Sequence, residues 1–431
     1  MPSLEAIRAA FPSEGLFAEK EWLLSPEPFP LDPAVVRQLE GLGHRLRLFI
    51  RACNDLYLRS LKGKLPPWVA ACADAGKPAP LLEIARSKAL RDAVPRVLRP
   101  DLLLGENGLT MTELDSVPGG IGLTAWLNQT YAEAAPLGGA DGMFEGFRSL
   151  FPNDQPVDIV VSREAGGYRP EMQWLADRLD GGRFSVEDAE NYPGEAGRAV
   201  YRFFELFDLP NLPASMTLLE RVAAGEITMT APPKPWLEEK LWLALFHSRP
   251  LQETWRRELS DNQQKRLRDI IPWSWVVDPS PLPHHGVLPR LDVAGWDEVA
   301  RFHQKERQLV LKRSGFHEEA WGARSVTIGH DVSQADWAGA LAEATAAFPE
   351  HPFVLQEFHR AKVVEHPYFD PQTGAVRTLR ARARLCPYYF VSAADESIRL
   401  GGVLATLCPE DKKILHGMKD AILVPCCAAP S

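Results

Sequence analysis

The sequence predicts an α+β fold, and three local patterns do the predicting. Apolar residues recur at helical spacing across 33–62 (PAVVRQLEGLGHRLRLFIRACNDLYLRSLK), as in an amphipathic helix. In DLLLGENGLTMTELD (101–115) an Asn-Gly pair at 107–108 separates two apolar runs, the second alternating, which reads as a β-hairpin. The apolar run VDIVVS (157–162), a helical stretch at 170–179 and a strand near 183–187 alternate as β-α-β and predict a parallel sheet.

Along the chain, residues 1–30 read as a loosely ordered lead-in with a turn-rich SPEPFP. Pro33 suits the first turn of the long helix. A second helix is expected at 81–93. After the hairpin, Pro118-Gly119-Gly120 breaks the chain, and LTAWLNQTYAEA is helical. AVYRFFELFDL (199–209) reads as a strand running into a helix. APPKP (231–235) marks a lobe boundary, because proline restricts itself and its predecessor. Helices return over 236–270, and 277–293 is a Pro-rich connector. From 308 the order is strand, glycine-bearing loop, strand, helix, strand, and two long alternating segments follow at 377–394 and 397–407. The expected division is an N-terminal helical region (1–95), the hairpin with its helix (96–150), a small β-α-β subdomain (151–235), a long segment (236–425) and a tail (426–431).

Hydrophobic residues make up 45% and charged residues 24%, an ordinary globular composition that argues against wholesale disorder and fibres. Lys+Arg is 48 and Asp+Glu 57, a formal charge of −9, so the basic surplus that draws proteins to nucleic acid is missing. No stretch approaches the ~20 apolar residues that span a bilayer. The start, MPSLEAIRAAFPSEGLF, has no apolar core of signal-peptide type. A cytoplasmic protein without nucleic-acid or membrane partners is the expectation. Cys53, Cys72, Cys386, Cys408, Cys426 and Cys427 form no CxxC pair and read as reduced thiols; a metal or redox handle at Cys426 and Cys427 is the alternative. His284-His285 lies in a Pro-rich loop and no HExxH occurs, so a histidine metal site is not expected. GxSxG, GxGxxG and the P-loop pattern are also absent.

Five groups of residues carry candidate chemistry. Arg99 and Asp101 open the first hairpin strand, and Glu113 and Asp115 close the second. Residues two apart share a strand face, so the turn would gather three carboxylates and Arg99 on one patch. Like charges gathered so closely call for a cation, and hard oxygen ligands suit Mg²⁺. The competing reading is a solvated hairpin. Gly119 and Gly120 follow at once and would let backbone N–H groups approach an anion. In LVLKRSGFHEEAWGARSVTIG (309–329), Lys312 ends a strand beside a loop with Gly315 and Gly322, a phosphate clamp or simply an exposed lysine. PFVLQEF (352–358) ends in Gln356 and Glu357, where backbone groups of a central strand would meet an adenine edge. Lys240, near a helix start, is disfavoured there by the macrodipole. Arg380, Arg382 and Arg384 share one face of LRARARL, either facing an anion or forming the wet face of an edge strand. Trp273 and Trp275 read as core.

The order of these pieces resembles the circularly permuted ATP-grasp proteins, the group that includes glutathionylspermidine synthase. The resemblance rests on RPD (99–101), ELDSVPGG (113–120), EEKLWLALF, VLKRSGFHEEAWGARSV and VLQEF, and covers roughly residues 95–425. It implies two α+β lobes clasping ATP, the lobes lying in 236–425, and an ADP-forming carboxylate–amine ligase working through an acyl-phosphate. By position, Asp101, Glu113 and Asp115 would hold Mg²⁺, and Arg99 would face the γ-phosphate or the acyl-phosphate. Lys240 and Lys312, with Gly119, Gly120 and Gly322, would contact the phosphates of ATP, and Gln356 and Glu357 would lie at the adenine hinge. Members of the group often carry Asn where this chain has Asp115. The cysteine-histidine amidase domain of bifunctional members has no counterpart here. Substrates would be a small carboxylate and an amine: an amino acid, a peptide or a polyamine. The rival reading is a degenerate, non-catalytic nucleotide-binding protein acting as a scaffold or regulator.

Overall fold

Residues 2–12, 21–283, 286–320, 324–417 and 419–430 are described by a computed structural model. His284, His285 and Gly322 lie outside the described residues. The chain divides into two units: Met1–Arg47, Arg86–Pro233 and Arg360–Ser431 in the first, Leu48–Ala85 and Lys234–His359 in the second. One boundary falls inside APPKP, between Pro233 and Lys234. The expected partition differs from this one. Residues from Arg360 onward belong with the hairpin, because the long strand Val376–Val391 pairs with its first strand. The helix Pro33–Leu61 is continuous across the division. The helix expected at 81–93 is only Ala79–Ala85; beyond it Leu90, Arg91 and Ala93 close three-residue turns instead.

The first unit holds a seven-stranded sheet. Its strands, numbered in chain order, are β1 (Phe29–Leu31), β2 (Val97–Gly105), β3 (Gly108–Asp115), β12 (Val363–Phe369), β13 (Val376–Val391), β14 (Ile398–Pro409) and β15 (Ile422–Ala428). Their order is β1-β15-β14-β13-β2-β3, with β12 also on β13. Only β1 and β15 run parallel. The hairpin closes with Gly105 opposite Gly108, so the loop is Glu106-Asn107, one residue earlier than expected. Gly108 takes the positive φ of 125° that this turn needs. Cys426 is buried within β15, which corrects the expected tail: the strand runs on to Ala428. β13 is flanked on both sides and is not an edge strand.

A second sheet in this unit contains β4 (Val157–Val161), β5 (Phe184–Asp188), β6 (Ala199–Phe203) and β7 (Thr228–Thr230), in the order β5-β4-β6-β7. All its pairings are parallel, as the β-α-β alternation predicts. Every residue of β4 and β6 is buried, Asp158 and Arg202 included, so the apolar residues between them show no alternation.

The second unit holds β8 (Ser274–Val276), β9 (Leu309–Arg313), β10 (Thr327–Ile328) and β11 (Phe353–Glu357), in the antiparallel order β10-β9-β11-β8. The helix Gln334–Ala347, capped by Ser333, lays Trp337 and Leu341 into a core with Leu309, Leu311, Phe353 and Leu355. Trp275 is buried in that core and Trp273 packs against it, as their reading predicts.

Candidate functional site

In the first unit the hairpin register sets Asp101 opposite Glu113 and Arg99 opposite Asp115. A bulge follows Asp101: Leu102 pairs with Met111, and Thr112, the extra residue, donates through Oγ1 to the Asp101 carbonyl at 3.2 Å. All three nitrogens of the Arg99 guanidinium lie close to neighbours, although Nε is buried and makes no hydrogen bond. Nε lies 3.1 Å from Asp101 Oδ1, Nη2 3.1 Å from Asp115 Oδ2, and Nη1 donates to the Gly119 carbonyl at 3.2 Å.

β13 completes the cluster. Residues two apart share a face, and Arg384, Cys386 and Tyr388 all reach it. Arg384 Nη1 stands 3.0 Å from Asp101 Oδ2, Cys386 Sγ 3.5 Å from Asp101 Oδ1, and the Tyr388 hydroxyl donates to the Gly119 carbonyl at 2.7 Å. The other two arginines of LRARARL do different work: Arg380 forms an exposed pair with Glu410, and Arg382 donates to the Glu410 carbonyl at 2.8 Å. The wet-edge reading therefore fails for Arg384, because β13 is interior and its face there is acidic.

The electrostatics follow from burial. Desolvation works against the charge on Arg99, but Asp101 and Asp115 outweigh it and hold the guanidinium firmly protonated. Burial pushes the Asp115 carboxyl up, against the pull of Arg99 and of the Val117 amide, which donates to Asp115 Oδ1 at 2.8 Å. Burial also raises the Cys386 thiol to about 12, so it stays protonated.

The glycine turn is built for packing. A Cβ on Gly119 would stand 2.2 Å from the Tyr168 ring, and one on Gly120, at φ 88°, 2.5 Å from the Tyr388 hydroxyl. Gly120 begins the helix Ile121–Thr130, and the first-turn amide of Gly122 donates to the buried Glu171 carboxylate at 3.0 Å. What the turn offers its neighbours is the Gly119 carbonyl, and the Gly122 amide already holds an anion of the protein's own.

The register brings Asp101 and Glu113 opposite each other, with Asp115 two residues on. Among the described residues no group of three or more His, Cys, Asp or Glu is arranged to hold a metal ion. The cation between Asp101 and Asp115 is the Arg99 guanidinium. Mg²⁺, however, usually takes one or two carboxylates plus phosphate oxygens and does not need a protein cage. Asp101 and Asp115 supply oxygen donors of the type that ion takes, and both are paired with Arg99.

In the second unit Lys312 Nζ, on β9, donates to Gln356 Oε1 at 2.9 Å, and Gln356 Nε2 donates to Ser274 Oγ on β8 at 3.2 Å. One polar line thus crosses three strands. Glu357 pairs with Arg290 at 3.1 Å. The amides of Glu357 and Phe358 donate to the carbonyls of Trp273 and Gln308, both at 2.9 Å, so the backbone donors expected at a hinge are already engaged. Lys240 is the residue before the short helix Leu241–Leu245, and its Nζ donates to the Ala320 carbonyl at 2.8 Å.

Sequence reasoning missed the contributions of Cys386, Tyr388 and Glu171, while Arg384 meets the anion-facing alternative of its reading. Period-two spacing in LRARARLCPYYF was the available clue for Cys386 and Tyr388. Nothing local marks Glu171.

No protein-family model matches the chain, and no curated protein does. Among solved structures the chain is similar to a glutathione synthetase like-effector from Globodera pallida in its apo form. That likeness covers 99% of this chain and 96% of that one, with a TM-score of 0.57 and 11% identity. It describes the fold. A candidate gamma-glutamylcysteine synthetase from Methylobacillus flagellatus KT matches over 88% of this chain and 86% of its own, at 11% identity and a TM-score of 0.39, too slight to describe a fold.

Proposed function

We propose that this protein is an ATP-dependent, ADP-forming ligase that joins a small carboxylate to an amine, on the circularly permuted ATP-grasp plan its motifs resemble. The observation that carries the reading is the Arg99 clamp, one guanidinium spanning two carboxylates and the carbonyl of a glycine turn. A preorganised guanidinium aimed at developing negative charge stabilises a transferring phosphoryl group.

In the proposed reaction a carboxylate oxygen of the acid attacks the γ-phosphorus in line. The bond from that phosphorus to the β–γ bridging oxygen breaks, releasing ADP and leaving an acyl-phosphate. The amine nitrogen then attacks the acyl carbon, the carbon–oxygen bond to phosphate breaks, and the amine proton passes to solvent. Arg99 keeps its proton throughout and faces the transferring group. Asp101, Glu113 and Asp115 are the residues that would hold Mg²⁺, which when bound neutralises phosphate charge. Lys240 and Lys312 serve the nucleotide phosphates, and Gln356 and Glu357 the adenine side. Amino acids, peptides and polyamines are the substrate classes to offer.

One observation favours a second reading, a nucleotide-binding scaffold without catalysis: both oxygens of Asp101 are already engaged by the protein. The two readings part in an ADP-release screen of acids and amines offered in pairs with Mg²⁺ and ATP. The ligase gives ADP only with a matched pair, and Glu113→Ala abolishes it while the melting temperature stays within a few degrees. ATP binding without ADP release for any pair supports the scaffold, and a fully active Glu113→Ala protein overturns the assignment of the acids.

A further inference from the structure

A fully buried charged network lies inside the second unit and has no part in the reaction above. Lys77 Nζ and Glu239 Oε1 form an ion pair whose side chains are 0% and 1% exposed. Glu239 Oε2 accepts from Ser314 Oγ. Ser314 Oγ in turn accepts from the Leu241 amide at 2.9 Å, and the Ser314 carbonyl accepts from the Lys240 amide at 3.2 Å. A Cβ on Gly315 would stand 2.9 Å from the Glu239 carboxylate carbon, so a side chain there would push the loop off the acid. Lys77 also donates to the Ala75 carbonyl at 3.3 Å and stands 5.5 Å from the centre of the Phe316 ring.

Burying two charges costs several kcal/mol each, and an apolar pair of similar volume is often as stable. Stability is therefore a weak reason for this pair. What it supplies is placement. The carboxylate ties the turn after β9, two residues past Lys312, to the start of the helix that follows Lys240. We propose that Lys77 and Glu239 are positioning residues that hold Lys240 and Lys312 in register for a nucleotide polyphosphate. This rests on the reading of those two lysines as phosphate contacts.

The test compares Mg-ATP affinity, by calorimetry, with melting temperature in the full chain. Lys77→Met strands a buried carboxylate and lowers the melting temperature. The double variant Lys77→Met/Glu239→Leu removes both charges and returns it to near the wild-type value, yet its Kd for Mg-ATP rises at least tenfold. Ser314→Ala, which keeps the ion pair and removes the hydroxyl's bonds to Glu239 and to the Leu241 amide, raises Kd threefold or more and serves if the double variant does not fold. A well-folded double variant, or Ser314→Ala, with the wild-type Kd overturns the positioning role and leaves the nucleotide reading standing. A wild-type protein that does not bind Mg-ATP overturns both.

Discussion

Asp101 is the residue on which the first cluster turns. It is buried, and two guanidinium groups lean on it from different strands. Asp101→Asn keeps the shape and leaves Arg99 and Arg384 facing each other with half their compensation. Breaking one partner of a buried charge network costs about 3 kcal/mol. Urea unfolding should register that loss, and a change below about 1 kcal/mol would show that solvent already screens the pair. His366 gives a second residue-scale prediction. Its Nε2 lies 3.0 Å from Ser25 Oγ, and burial lowers its pKa from 6.5 to about 4. Between those values the unfolded chain binds a proton that the folded chain refuses. Stability is thus fully present above pH 6.5 and declines as the pH falls toward 4. His366→Leu should lose less stability than wild type between pH 7 and pH 4.5, by about 2 kcal/mol. Equal losses would contradict the assignment.

At the scale of elements, the turn after β3 makes the sharpest prediction. Gly119→Ala drives a methyl group into Tyr168, an overpacking worth about 2 kcal/mol. Trimming the obstacle with Tyr168→Leu should recover part of that loss in the double variant; no recovery would place the strain elsewhere. Local periodicity made several elements legible. The hairpin, the parallel β4–β6 core and the long β13 and β14 all announce themselves by period two or by apolar runs. Tertiary pairing did not. Arg384 meets Asp101 across 283 positions of chain, and Lys77 meets Glu239 across 162. No local pattern encodes such a contact, so the spacing left Arg384 either facing an anion or on the wet face of an edge strand. The helix foreseen at 81–93 failed for a related reason: its apolar spacing suited a helix, but the chain after Ala85 closes three-residue turns.

At the scale of the molecule, the two units carry different candidate residues. The first carries the acids and arginines, the second the lysines and the polar line on its sheet. Among the described residues no helix is long and apolar enough to cross a membrane. On the proposed reading, Mg-ATP binds the folded chain and not the unfolded one. A hundredfold excess over Kd then adds about 2.7 kcal/mol of stability. A melting curve unmoved by Mg-ATP would leave the fold without the proposed ligand. The most direct measurement follows the oxygen atoms. With the acid substrate labelled in its carboxylate by ¹⁸O, the account predicts that one labelled oxygen leaves in the inorganic phosphate, because the acyl carbon surrenders it when the amine attacks. Product formation with wholly unlabelled phosphate would contradict an acyl-phosphate and with it the central claim.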